Sequence, residues 1–242
     1  IAAHHILSSS PEEAMKIAYP CVQEDQNREE RTQLELLVKG NTDSILFIIE
    51  DEYGKESEEY LIGCSWVVNS YMEEINYPDA VTIALEMVDI SARIFGKESL
   101  IYFHSVNKLA LAYQYLKPDK ALETYLEHDD LAEKILKGTD KARRITPKEE
   151  YLIFKMNMGV TFYKLFKYDD ALYIYNELGK IQTDNNRLYL KLQRSVAEIK
   201  RSKGKFNEAL SINLENLKNT ESNFGKNDPD YISSLNNLAM TY

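Results

Sequence analysis

The sequence has no apolar run that could cross a bilayer. Its longest, such as Ile45–Ile49, falls far short of the roughly 20 residues a helical span needs, so no membrane insertion is expected. It has two cysteines, Cys21 and Cys64, far apart and without CxxC or metal-ligand spacing, which points to a reducing, intracellular compartment. No N-x-S/T sequon occurs, in keeping with that compartment. The four histidines include the neighbours His4 and His5, which diverge on a helix and make a poor metal pair, so no metal is expected. Glycine-rich phosphate loops, HExxH and nucleophile elbows are absent, and no cofactor is expected. The acidic doublets, Glu58–Glu59 and Asp169–Asp170 among them, are sequence neighbours that point about 100° apart on a helix and cannot flank one bond. No enzyme chemistry is expected from these residues.

What is present is an ordinary globular composition, 44% hydrophobic and 28% charged, with 17 tyrosines. The net charge of −10 is unevenly spread: residues 1–100 hold 7 basic against 20 acidic residues, the rest 22 against 19. An acidic surface argues against nucleic acid as the main ligand. The chain opens on Ile1, and "IAAHHILSSS" lacks the basic start and long apolar core of a signal peptide, so both ends read as cut from something longer.

Internal repeats carry the most information. "INYPDAV" (75–81), "LKPDKAL" (116–122), "FKYDDAL" (166–172) and "GKFNEAL" (204–210) align on Ala80, Ala121, Ala171 and Ala209, at steps of 41, 50 and 38 residues. Upstream of each lies an apolar helix with a small residue: Ala110, Gly159, Ala197 and Ala239, with the bulkier Val68 first in the series. Small residues let antiparallel helices approach closely, and Tyr71, Tyr113, Phe162 and Tyr242 follow as large wedges. The connectors repeat too. "YGKES" (53–57), "FGKES" (95–99) and "FGKND" (224–228) each place Gly thirteen residues before an apolar helix position. Glycine closes a helix in the left-handed conformation, after which Asp228 caps the next helix and Pro229 occupies its first turn.

These units resemble tetratricopeptide repeats of the long type, roughly forty-two residues, found in kinesin light chains. "FGKNDPDYISSLNNLAMTY" and "GKFNEAL" carry the resemblance, which covers about residues 55–242. It implies an all-α fold, a right-handed α-solenoid (TPR superhelix) of antiparallel helix pairs: four full repeats plus the first helix of a fifth. The apolar face of that last helix, 230–242, is expected to be covered by further chain or a neighbour. Residues 1–54 read as a helical N-terminal region, a degenerate repeat. There "SSSPEEAMKIAYP" has the capping pattern of Ser10, Pro11 and Glu13, and "REERTQLELLVKG" and "DSILFIIEDEYG" are two further helices.

In such a solenoid the first helices line a concave groove. Positions two before, one after and four after the small residue face it: Trp66, Asn69 and Met72; Lys108, Leu111 and Gln114; Asn157, Val160 and Tyr163; Ser195, Glu198 and Arg201; Asn237 and Met240. The resemblance implies that an Asn two residues before the small one binds a peptide backbone, since an amide donates and accepts at once. Asn157 and Asn237 match; Trp66, Lys108 and Ser195 break the pattern. A hydrated groove wall is the alternative for both Asn. Lys191, Arg194 and Arg201, with Lys164 in the previous repeat, form a basic cluster that either seats acidic side chains of a partner or is a solvated polar face. "KGTDKARRITPKEE" (137–150) reads as a mobile loop or a docking segment.

The expected partners are therefore other proteins, bound as an extended peptide or a helix, with no nucleic acid. Three functions fit: an interaction scaffold or adaptor using the groove; a structural part of a large microtubule or ciliary assembly using its convex face and ends; and a peptide-sensing regulatory module. The first is favoured. A cytoplasmic or cytoskeletal location follows from either of the first two.

Overall fold

The computed structural model describes residues 42–138, 146–181 and 186–242. The expected helices over 11–19 and 28–39, the His4–His5 pair, Cys21 and residues 139–145 of the 137–150 connection lie outside the described residues. Among the described residues the chain is helical, with eleven helices and no strand. They fall into two compact units that meet at Pro147–Lys148.

The first unit contains α1 (Thr42–Tyr53), α2 (Glu58–Glu73), α3 (Tyr77–Phe95), α4 (Leu100–Leu116), α5 (Pro118–Glu127) and α6 (Asp129–Lys137). α1 is the helix expected from "DSILFIIEDEYG". Each connector serves two helices at once. Gly54 and Gly96 adopt φ of 76° and 81°, a region costly for any residue with a Cβ, and end α1 and α3. Ser57 and Ser99 then donate to the carbonyls of Gly54 and Gly96 (2.8 Å each) and accept from the amides of Tyr60 and Tyr102 (3.1 Å each). The core is built from Cys64, Val68, Ala84, Phe103, Ala112 and Tyr125, all inaccessible to solvent. Each large side chain so buried contributes roughly 1.5–3 kcal/mol.

The second helix of the α4 pair is broken at His128. Its Nδ1 lies 2.9 Å from the Thr124 carbonyl, which can only accept, so Nδ1 carries a proton, and Nε2 lies 3.1 Å from the Tyr102 hydroxyl. The imidazole thus satisfies the polar groups freed by the break, and α6 restarts with Asp129 and Asp130 in its first turn.

The second unit contains α7 (Pro147–Lys164), α8 (Tyr168–Leu178), α9 (Asn186–Ser202), α10 (Phe206–Phe224) and α11 (Pro229–Ala239). Gly159 shows why a small residue is needed at that position. A Cβ built there would stand 2.7 Å from Cε1 and Cζ of Tyr175, a ring that is itself fully buried. Ala80, Ala110, Ala121, Ala171, Ala197 and Ala209 are buried as well, whereas Ala239 is exposed at the end of α11, as is Tyr242. Asp228 caps α11 by accepting from the Asp230 amide at 2.9 Å, with Pro229 in the first turn.

Candidate peptide-binding groove

A cavity of about 570 Å³ lies within the second unit. α7 contributes Met156, Val160 and Tyr163, and Tyr175 reaches in from α8. α9 supplies Lys191, Arg194, Ser195, Glu198 and Ile199, and α11 closes the far side with Ser233, Asn236 and Asn237. The walls are first helices of successive pairs because their small residues, Gly159 and Ala197, turn inward toward the second helices and leave the opposite face open.

Of the residues singled out from the sequence, Tyr163, Lys191, Arg194 and Asn237 line this cavity together. Asn157, Lys164 and Arg201 are not among its lining residues, though all three are half-buried nearby in the chain. Burial holds the Lys164 ammonium below the usual lysine range. Trp66, Asn69 and Lys108 belong to the first unit. There the Lys108 ammonium donates to Asn69 Oδ1 at 2.7 Å, Trp66 is half-buried, and Ser65 Oγ lies 3.2 Å from His104 Nε2. Gln114, two turns along, is buried with 2% of its surface exposed.

The basic cluster is largely neutralised by the fold. Arg194 donates to Asp230 Oδ1 at 3.0 Å. Arg187 takes both carboxylate oxygens of Asp228, at 3.0 and 2.8 Å, and pairs with Asp230 as well. The Phe224 ring backs the Arg187 guanidinium, 4.2 Å from its centroid. Both carboxylates raise the Arg187 pKa above its ordinary value, so the network stays charged. Arg201 pairs with Glu198 at 2.5 Å, and Glu198 also accepts from the Tyr163 hydroxyl at 2.9 Å. Lys191, by contrast, is exposed and has no carboxylate partner among the described residues. Sequence reasoning missed Met156, Tyr175, Ile199, Ser233 and Asn236 as lining groups. The only local signal was the second Asn beside Asn237.

The lining combines apolar Met156, Val160 and Ile199 with two amides, four hydroxyls and one unneutralised ammonium. Burial pushes the Tyr175 hydroxyl up to about 12, and the Tyr163 hydroxyl is also raised, chiefly by burial. Both are neutral hydrogen-bonding groups at physiological pH, suited to recognition. Among the described residues no group of three His, Cys, Asp or Glu could hold a metal ion, and no helix is long and apolar enough to cross a membrane.

Solved structures with the same arrangement of helices decide the architecture. The fold is that of a tetratricopeptide-repeat α-solenoid. The chain superposes on the crystal structure of a kinesin light chain-like protein from Podosopora anserina, made of nearly identical TPR-like repeats, with a TM-score of 0.57. That match covers 89% of this chain and 99% of the other at 14% identity. A single-substitution variant of the same protein gives a TM-score of 0.59 at 14% identity, covering 88% and 98%. No family model matches the chain, and no curated protein matches it by sequence.

Proposed function

We propose that the chain is a non-catalytic protein-interaction scaffold or adaptor that takes an extended peptide, or a helix, of a partner in the groove of its second unit. The observation that carries this is the cavity itself, whose volume of about 570 Å³ lies in the range of pre-formed ligand sites. Its chemistry suits a peptide: an apolar lining for one anchoring side chain, and Asn236 and Asn237 for a backbone that needs a donor and an acceptor. Lys191 offers an acidic side chain its counter-charge, whereas Arg194 and Arg201 are committed to Asp230 and Glu198. Asn157, Lys164, Trp66, Asn69 and Lys108 stand as secondary candidates. Within this reading residues 55–242 are four repeats and the first helix of a fifth, preceded by a degenerate repeat over 1–54.

Peptides selected on the intact chain from a random display library test the groove. Lys191→Glu and Asn237→Ala are each expected to weaken the selected peptides about tenfold, the scale of one lost charge-assisted or amide contact. Affinities untouched by both substitutions would remove the groove from the function. A second reading, a structural part of a microtubule or ciliary assembly, is favoured by the exposed apolar side chains on the turns, Ile75 and Phe166 above all. There, turn substitutions displace the chain from its assembly and Lys191→Glu does not.

A further inference from the structure

Three helices end in the same hydrogen-bonded turn. In each, one amide reaches back three residues and the next reaches back five: Ile75 to Met72 and Asn76 to Tyr71, Phe166 to Tyr163 and Lys167 to Phe162, Gly204 to Arg201 and Lys205 to Lys200. The motif requires a left-handed residue at its bend, and φ there is 62°, 60° and 73°. Gly204 meets that requirement at no steric cost. Ile75 and Phe166 do not, and a β-branched residue is among the worst choices at positive φ.

Neither side chain returns the cost to the fold. Ile75 is 71% exposed and Phe166 78%, and the Phe166 ring makes one edge contact, 6.2 Å from Tyr168. Two bulky apolar groups are therefore both strained and solvated at the tips of turns. Such strain persists where a contact outside the fold uses it.

Each tip belongs to an edge made of two neighbouring turns. In the second unit the Tyr163 hydroxyl meets Ser202 Oγ at 3.1 Å and Lys203 pairs with Asp169, which ties the turn of Phe166 to the turn that leads into exposed Phe206. In the first unit Tyr77 stacks on Tyr115, with ring centroids 5.1 Å apart, which ties the turn of Ile75 to the turn that carries exposed Tyr115 and Leu116. The two edges differ in charge. Residues 163–170 and 198–208 hold six basic side chains against Asp169, Asp170, Glu208 and Glu198, the partner of Arg201. Residues 72–79 and 114–120 hold Glu73, Glu74, Asp79 and Asp119 against Lys117 and Lys120. The units repeat the contrast, with 15 basic and 27 acidic residues in 1–147, a net −12, and 14 and 12 in 148–242, a net +2.

We propose that the turn edge of the second unit, tipped by Phe166 and Phe206, docks on the turn edge of the first unit, tipped by Ile75 and Tyr115, of a second copy of the chain. Apolar tips meet apolar tips while a basic rim meets an acidic one. The basic edge also carries carboxylates, which an anionic bilayer would repel but which Lys117 and Lys120 of the opposite edge match. This contact is independent of the groove, and because it joins unlike edges it is a heterologous one.

Sedimentation equilibrium of the full chain across a wide concentration range tests the proposal. The chain is expected to self-associate reversibly, starting with a dimer, as its concentration rises. Phe166→Gly and Ile75→Gly are each expected to weaken the dimer about tenfold or more while leaving the melting temperature of the monomer unchanged or higher, since each relieves a strained turn. Loss of association therefore cannot be loss of fold. Lys167→Glu with Lys205→Glu weakens the dimer likewise, and adding Glu73→Lys and Glu74→Lys restores it. A chain that stays monomeric throughout overturns the proposal, as does a dimer indifferent to both glycine variants. Phe166-dependent binding of the monomer to anionic vesicles or to an acidic peptide, without dimerisation, overturns it too.

Discussion

Asp230→Asn tests whether α11 is held by charge rather than by apolar packing. Ser234 is the one residue of α11 that is buried, while Ile232, Leu235 and Met240 are 53%, 41% and 56% exposed. Hydrophobic contact therefore contributes little to its docking. Against this stands the network of Arg187 and Arg194 with Asp228 and Asp230, in which the Arg194 and Asp230 side chains are each 14% exposed. Removing one partner of a fully buried pair costs about 3–5 kcal/mol and of an exposed pair about 0–1 kcal/mol. At this burial the expected cost is about 2 kcal/mol, part of it the stranded Arg194 guanidinium. Since RT is about 0.6 kcal/mol, the opening equilibrium of α11 rises roughly thirtyfold. Native-state hydrogen exchange reads this directly: α11 amides exchange about thirtyfold faster while those of α7 and α8 are unchanged. A double-mutant cycle with Arg194→Met should recover most of the loss as coupling, whereas Lys134 with Glu98, both highly exposed, should show none. Because α11 supplies Ser233, Asn236 and Asn237, the same substitution should weaken groove ligands. Unchanged α11 exchange, or an α11 lost only with the whole unit, would mean that charge does not hold the helix.

Gly159→Ala is expected to destabilise the second unit by about 1–3 kcal/mol despite the better helix propensity of alanine, because the Tyr175 ring has no room to retreat. Chemical denaturation measures this, and Tyr175→Leu should abolish the penalty by vacating the ring. Stability should also fall in alkali. Tyr175 keeps its proton to about 12 in the folded chain but loses it near 10 when unfolded, so its contribution is whole below about 10 and is lost by about 12. That difference corresponds to about 3 kcal/mol. Cys64, pushed up to about 12 by burial, acts in the same direction from about 8.5 upward. Thermal melts from neutral pH to about 11 should show a decline that is shallower in Tyr175→Phe; equal slopes would contradict the assignment.

The parts of this protein that were legible in its sequence are those set by local chemistry. Gly54, Gly96 and Gly225 announce helix ends because few other residues tolerate φ near 80°, and all three take that conformation. Asp228 and Pro229 announce a helix start for equally local reasons. The alanine register identifies the helix pairs because close approach leaves no alternative to a small side chain. The groove was legible only as a face. Val160, Tyr163, Ser195, Glu198 and Asn237 line the cavity, but which of them remain available is a question about distant partners. Arg194 finds its carboxylate 36 positions away, and no periodicity reveals that the cluster it belongs to is internally neutralised. Ile75 and Phe166 were hidden for the opposite reason: propensity argues against a left-handed conformation there, and alignment with Gly204 was the one hint.

Repeat spacing, caps and breakers thus determined by sequence alone that the chain is a stack of helix pairs, because each acts within a turn or two of backbone. Tertiary structure alone decided which charges are spent on the fold, where a cavity opens, and which apolar side chains are left in solvent. Those depend on side chains brought together from positions tens of residues apart, and Coulomb and packing energies are set by that distance in space.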